Sequence, residues 1–360
     1  MTSHAVQPVI IPHTEKEVLY SRFTHMTKLR LTPISAAVAM SAFILSSCAP
    51  LPHDPKEKYI LVSTNIKVPY WQSALQGLSK AASEMKVKAE LVGPDTYDPK
   101  AEHDEFERAV AQKPSGILVS VADAQMLAPD INAALGQGIP VITVDSDSAS
   151  SKRLLFIGTD NYDAGILGGQ LVAKLVGGKG NVVIFTMPNQ SNLNDRLHGY
   201  QTAFESHPGL NIMQTVDIHG DPTVAFDTTK KLIDTKAKVD AFVCLEAIAC
   251  PEVGEVVNRE QMTGKVKIVA MDTDQRTLSW IQQGVVNATI AQKPFTMAYF
   301  GTKILDDLHH HPPGSLLADW KSNSFSTLPA FVDTGSSIVD KDNLSAFQQQ
   351  AQAQGQSSQQ

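Results

Sequence analysis

Three acidic residues each close a short apolar run: Asp145 after Pro140-Val141-Ile142-Thr143-Val144, Glu246 after Ala241-Phe242-Val243-Cys244-Leu245, and Asp272 after Val266-Lys267-Ile268-Val269-Ala270-Met271. Runs of this kind, rich in β-branched residues, read as buried strands. An ionised carboxylate accepts hydrogen bonds from two neighbouring hydroxyls, and in open α/β sheets ligands sit beyond the carboxyl ends of the strands. A strand-end acid can equally cap the helix that follows, so both roles stay open for each residue taken singly. What is missing narrows the chemistry further. No nucleophile stands with a base, and neither a phosphate loop nor a spaced metal-ligand motif is present. Gly177-Gly178-Lys179-Gly180 precedes a strand and reads as a helix C-terminal turn. His309-His310-His311 runs into Pro312-Pro313 and reads as a solvated loop, because adjacent side chains point different ways. The expectation is a binding protein and not an enzyme, with no cofactor and no metal.

The acids need a framework, and the chain supplies one in two tandem series. Tyr59-Ile60-Leu61-Val62, Lys88 to Val92, Gly116 to Val119 and Pro140 to Val144 read as strands. Helical segments over Trp71 to Met85, around Phe106 to Ala111 and over Leu127 to Leu135 separate them. The second series places strands at Asn181 to Phe185, Asn211 to Thr215, Ala241 to Cys244 and Val266 to Ala270. Alternation of this sort predicts parallel sheets covered by helices on both faces. The 360 residues, less a leader, leave about 310, enough for two domains with a core each. A formal net charge of -7 and the lack of a long basic run argue against nucleic acid.

The covalent chemistry expected of the chain lies at its start. Met26-Thr27-Lys28-Leu29-Arg30 is a short basic segment, Leu31 to Leu45 is apolar, and Leu45-Ser46-Ser47-Cys48 closes the stretch as a bacterial lipobox would. Cys48 is then expected to carry lipid after cleavage. Each buried methylene contributes roughly 0.8 kcal/mol to membrane binding, so two or more chains anchor a protein. Met1 to His25 fits no export design, and Met26 is the expected start. Cys244 and Cys250, the remaining cysteines, could form a disulfide in an exported compartment or pack as two buried thiols.

In the order and spacing of its motifs, from about Tyr59 to Phe347, the chain resembles the sugar-binding proteins of ABC importers of the ribose-binding type. Pro69-Tyr70-Trp71 matches the place where relatives close aromatics on a sugar ring, whose C–H face a flat aromatic covers. The resemblance implies ligand contacts for Ser120, for Asp145 in Val144-Asp145-Ser146-Asp147, and for Arg196 in Asn194-Asp195-Arg196-Leu197-His198-Gly199-Tyr200. It implies the same for Glu246, Asp272 in Met271-Asp272-Thr273, and Gln292. Two positions depart from the pattern: Ser146 stands where many relatives carry arginine, and Leu245 where an Asn-Asp pair is common.

The fold implied is two Rossmann-like, doubly wound parallel-sheet domains joined by a three-strand hinge. Residues 1–48 form the leader, 49–58 a spacer, 59–159 plus 293–331 the N-terminal lobe, 160–292 plus 332–346 the C-terminal lobe, and 347–360 a disordered Gln-rich tail. Hinge crossings are expected near Asp160, Lys293 and Val332. The function implied is that of a monomeric, lipid-anchored receptor at the cell envelope, in the periplasm or on the outer face of the cytoplasmic membrane. It would hand a monosaccharide or sugar alcohol to a membrane permease. A chemoreceptor ligand carrier and a lactose-repressor-type regulator share the fold. For the regulator, a DNA-reading module would stand where the export leader stands.

Overall fold

The computed structural model describes residues 53–323 and 325–357; Met26 and Cys48 lie outside the described residues. The first half runs β1 (Lys58–Val62), α1 (Pro69–Met85), β2 (Lys88–Val92), α2 (Pro99–Ala111), β3 (Gly116–Val119), α3 (Ala124–Gly136), β4 (Val141–Val144) and β5 (Phe156–Gly158). The second runs α4 (Asn161–Val176), β6 (Lys179–Thr186), α5 (Ser191–Glu205), β7 (Gly209–Asp217), α6 (Pro222–Asp234), β8 (Ala241–Cys244), α7 (Ala249–Arg259), β9 (Lys267–Met271), α8 (Gln275–Gln283) and β10 (Ala288–Ala291). Four elements follow: α9 (Pro294–His310), β11 (Phe331–Asp333), β12 (Ser337–Asp340) and α10 (Leu344–Ser357).

Two six-stranded sheets result, ordered β11-β5-β4-β3-β1-β2 and β12-β10-β9-β8-β6-β7. Every pairing is parallel except that of β12 with β10. All residues of β3, β4, β8 and β10 are buried. Helices cover both faces of such strands, which is why they read in sequence as unbroken apolar runs without alternation. Each sheet carries its own core, one around Ile60, Leu118 and Ile142 and one around Ile184, Phe242 and Val243.

The chain crosses between lobes three times. It leaves β5 through Thr159-Asp160, where the Asp160 carboxylate caps α4 by accepting from the Asp163 N–H. It returns from β10 through Gln292-Lys293 into α9, which packs against α1 of the first lobe. That packing is close because Gly77 has no side chain: a Cβ there would lie 2.1 Å from the Phe295 carbonyl oxygen. The third crossing runs from β11 to β12. Phe331–Asp333 pairs with β5, so Val332 belongs to the first sheet and the chain leaves that sheet at Thr334, two residues beyond the boundary expected from sequence. Asp333 Oδ1 accepts from the Asp160 N–H at 3.0 Å, tying the first crossing to the third.

Two further expectations need correction. The Gln-rich tail is helical in α10 as far as Ser357; alanine and glutamine are good helix formers, and the low charge that suggests disorder does not oppose a helix docked beside β12. His309 and His310 close α9 and are not in a loop, because Pro312-Pro313 ends the helix only after them. Gly177, by contrast, is the left-handed C-cap of α4, at φ 70°. Cys244 and Cys250 are buried free thiols.

Candidate functional site

β4 and β9 end in the same device. Asp145 and Asp272, one residue past each strand, sit in the left-handed region at φ 64° and 67°. Their backbone N–H groups still pair with the neighbouring strand, Asp145 to the Ile157 carbonyl at 3.1 Å and Asp272 to the Ile290 carbonyl at 2.8 Å. The chain then turns sharply. Aspartate tolerates this conformation better than most residues, and sparsely populated backbone states gather at ligand clamps. Neither residue caps a helix. The helices that follow are capped by other aspartates, Asp160 for α4 and Asp274 for α8. Glu246 takes the opposite course: its carboxylate accepts from the Ile248 and Ala249 N–H groups at the start of α7. The strand-end acids thus divide between two that line the cleft, held there by side-chain donors, and one engaged in capping at its wall.

Arg196, on α5, is 1% exposed. Its Nη1 donates to the Leu245 carbonyl, its Nη2 to Asn161 Oδ1 at 2.5 Å, and its Nε has no protein partner. Leu245, where the sequence departs from the family pattern, therefore holds the arginine through its backbone. The helix carrying Arg196 is brought in by glycines: a Cβ on Gly165 of α4 would lie 2.1 Å from the Arg196 carbonyl oxygen. Among the described residues no carboxylate forms an ion pair with Arg196. Its guanidinium is a fork with two prongs fixed by protein, while its Nε is buried without a protein partner.

The first lobe contributes Tyr70, Trp71 and Ser120. Tyr70 Oη donates to Asp145 Oδ1 at 2.8 Å and Ser120 Oγ donates to Asp145 Oδ2 at 3.1 Å. Burial and the nearby Asp145 and Asp272 push the Tyr70 hydroxyl well above its ordinary pKa, keeping it a donor. Trp71, edge-on to Tyr70 with ring centroids 5.0 Å apart, is 4% exposed and belongs to the first lobe's core while also lining the cleft. On the second side, Gln292 Nε2 donates to Asp272 Oδ1 at 2.9 Å, and its Oε1 is buried without a partner.

The lobes are closed on one another. Asn192 Nδ2 reaches Asp145 Oδ2 at 3.5 Å, Ser191 Oγ accepts from the Asp147 N–H at 3.0 Å, and Ser146 Oγ lies 3.4 Å from Ser191 Oγ. A serine at 146 is small enough to let the start of α5 approach. Between the lobes lies a cavity of about 80 Å³, lined among others by Tyr70, Asp145, Asn192, Arg196 and Asp272. A second cavity of about 480 Å³ opens beside the hinge and shares Tyr70, Asp272 and Gln292 with the first; Phe347 of α10 forms part of its wall. Sequence reasoning passes over Asn192 and Tyr97, both on the wall of the smaller cavity. Asn192 stands four residues before Arg196, on the same helical face, and that spacing was the available signal. Tyr97 follows β2 with no pattern to mark it.

Electrostatically the site is short of cations. Three buried carboxyls share one guanidinium. Burial raises the pKa of each, Glu246 to about 7 and Asp272 to about 6, while Arg196 pulls all three back down. Such a site presents carboxylate oxygens to incoming hydroxyl donors beside a buried, unpartnered Arg196 N–H.

Comparison with known proteins agrees with this architecture. The sequence matches the periplasmic binding protein domain over residues 59–310. The xylose/arabinose-binding protein XylF of Sulfolobus acidocaldarius is 24% identical over 315 residues, 82% of this chain and 74% of that protein. The solved arabinose-binding protein AraP of Geobacillus stearothermophilus is 31% identical over 81% of this chain and 99% of that one, with a TM-score of 0.68. An ABC transporter solute-binding protein of Burkholderia graminis, solved with D-arabinose, is 26% identical over 81% of this chain and 98% of that one, with a TM-score of 0.74. With both sheets, the crossings and the sequence match in place, the chain belongs to the periplasmic binding protein domain family and has the type I fold of solute-binding proteins that perform no chemistry on what they bind.

Proposed function

We propose that this protein is the lipid-anchored receptor of an ABC importer, capturing a monosaccharide or small sugar alcohol between its lobes and delivering it to a permease. The observation that carries this reading is the pairing of acceptor-rich and donor-poor walls at one point: Asp145 and Asp272 turned toward the cleft from equivalent strand ends, with the unpartnered Nε of Arg196 between the lobes. Sugar hydroxyls donate to the carboxylates, and a ring or hydroxyl oxygen accepts from the arginine. Tyr70 and Trp71 offer apolar ring surface for the C–H face of the ligand. A cavity of about 80 Å³ admits roughly five to eight water-sized groups, a scale that favours a pentose or similar polyol over an oligosaccharide. Relatives named for xylose, arabinose and ribose support the same class. Binding energy then goes into closing the lobes, by as much as the ligand favours closed over open.

The test is a thermal-shift screen of pentoses, hexoses and polyols followed by calorimetric titration. A ligand specific to the folded form raises the unfolding midpoint. Stabilisation by nucleotides or amino acids in place of sugars would refute the ligand class. The anchor is tested separately by labelled fatty acid: wild type takes up label and fractionates with membranes, and equal labelling of Cys48→Ala would refute the assignment.

A further inference from the structure

The histidine run at the end of α9 meets a partner that sequence spacing does not show. Asp306 and His310 lie one turn apart on α9, and the segment before β1 brings His53 and Glu57 against them across 253 residues of sequence. His53 Nε2 is 2.9 Å from Asp306 Oδ2, and His310 Nε2 is 3.6 Å from Asp306 Oδ1 and 3.2 Å from Glu57 Oε2. The rings of His53 and His310 meet edge to face at 5.2 Å. The donor atoms of His53, Asp306 and His310 all lie within 4.8 Å of one another.

We infer that His53, Asp306 and His310 form a binding site for a zinc-type divalent cation, with Glu57 beside it, which fastens the segment before β1 to α9. Tetrahedral zinc with bonds of 2.0–2.1 Å needs donor atoms about 3.3 Å apart, close to the 2.9 and 3.6 Å that separate His53 Nε2 and His310 Nε2 from the two oxygens of Asp306. Imidazole with carboxylate suits zinc and its late first-row neighbours, not magnesium or calcium, which take oxygen ligands. A second layer is present: Tyr59, fully buried, donates its hydroxyl to Asp306 Oδ1 at 2.8 Å, orienting the carboxylate as outer partners of metal ligands do. The protons that now bridge the histidines to the carboxylates would leave on metal binding. The site lies on the first lobe, apart from the cleft, so it holds the segment before β1 against α9 without touching the ligand.

The experiment uses the untagged full-length chain, stripped with chelator and titrated with zinc chloride, with cobalt(II) as a spectroscopic substitute. One zinc per chain, a tetrahedral cobalt absorption and a raised unfolding midpoint are expected. His53→Gln and His310→Gln should each weaken binding by at least about tenfold, since even outer-layer changes at metal sites cost that much. His309→Gln and His311→Gln should leave it unchanged. Zinc should also slow hydrogen exchange in residues 53–58 of the unaltered chain, a measurement independent of how the variants fold. Absence of zinc uptake, unchanged affinity in His53→Gln, or equal weakening by His309→Gln would each overturn the site, the last by showing chelation by the histidine run alone.

Discussion

Ligand affinity should fall as pH drops below about 6, and Asp272 should be the cause. Its carboxyl is pushed up to about 6 because burial raises it and Asp145 adds to the rise, against the pull of Arg196 and the Gln292 hydrogen bond. Glu246, nearby and raised to about 7, spends both oxygens on the backbone of α7 and so contributes less to the ligand. A ligand whose hydroxyls donate to Asp272 holds it ionised, so binding at low pH must expel a proton. Each pH unit below the free carboxyl's pKa then costs about 1.36 kcal/mol, or tenfold in affinity. At pH 5 the protein should bind about tenfold more weakly than on the plateau above pH 7.

Stability runs the other way, which separates the effect from acid unfolding. The folded carboxyl takes up its proton near pH 6 and the unfolded one near its ordinary 3.8. Between these values the folded state binds more protons, so the ligand-free protein gains stability from this group as pH falls from 7 toward 4. Asp272→Asn keeps a carbonyl for Gln292 to donate to but removes the charge. It should weaken binding at pH 7.5 by tenfold or more, the equivalent of about 1.4 kcal/mol per decade, and flatten the pH dependence. Calorimetric titration from pH 5 to 8, in two buffers of different ionisation enthalpy, reads both affinity and proton release. Affinity that is level across this range in the wild type, or a slope that survives Asp272→Asn, would refute the reasoning.

Arg196→Lys keeps the charge but cannot span the Leu245 carbonyl and Asn161 Oδ1 while offering a third N–H; calorimetry should show affinity reduced at least about tenfold with circular dichroism unchanged, the cost of a lost charged hydrogen bond being about 1.5–3 kcal/mol. Trp71→Ala should destabilise the fold by about 3–5 kcal/mol in urea unfolding, since the ring is in the first lobe's core, whereas Tyr70→Phe, which removes only the donor to Asp145, should weaken ligand binding with little loss of stability.

The strands were legible because a parallel sheet buried on both faces leaves an unbroken apolar run, and β3, β4 and β8 are such runs. Asp145 and Asp272 were legible as strand ends, but their left-handed turns were not, since aspartate gives no sign of φ in the sequence alone. Glu246 looked like their equivalent and is engaged by the N–H groups of α7, a competition that capping preference allows and sequence cannot settle. Asn192 was hidden because a polar residue in the first turn of a helix has many ordinary reasons to be there. The α10 helix was hidden by composition: a Gln-rich, uncharged segment resembles a tail until it has β12 to dock on. The partners of His310 were invisible for a different reason, since they come from the other end of the folded chain.

The charge imbalance of the cleft bears on how closure is coupled to capture. Closing the lobes buries Asp145 from one sheet and Asp272 from the other around a single guanidinium, and burial raises the pKa of both. Closure without a ligand therefore carries a penalty: Arg196 Nε and Gln292 Oε1 are buried without a protein partner. Each buried polar group without a partner costs about 1–3 kcal/mol. In the open cleft water meets the same needs, so the penalty belongs to closure and not to folding. A polyol supplies donors to the carboxylates and acceptors to Arg196 in the same act, removing the penalty only when its hydroxyls reach both lobes. A ligand that satisfies one lobe alone leaves the other lobe's groups unpaired and gains little from closing. On this reasoning selectivity resides in the span between Asp145 and Asp272 more than in either residue, and a sugar epimeric at a hydroxyl facing one lobe should bind the open form without closing it.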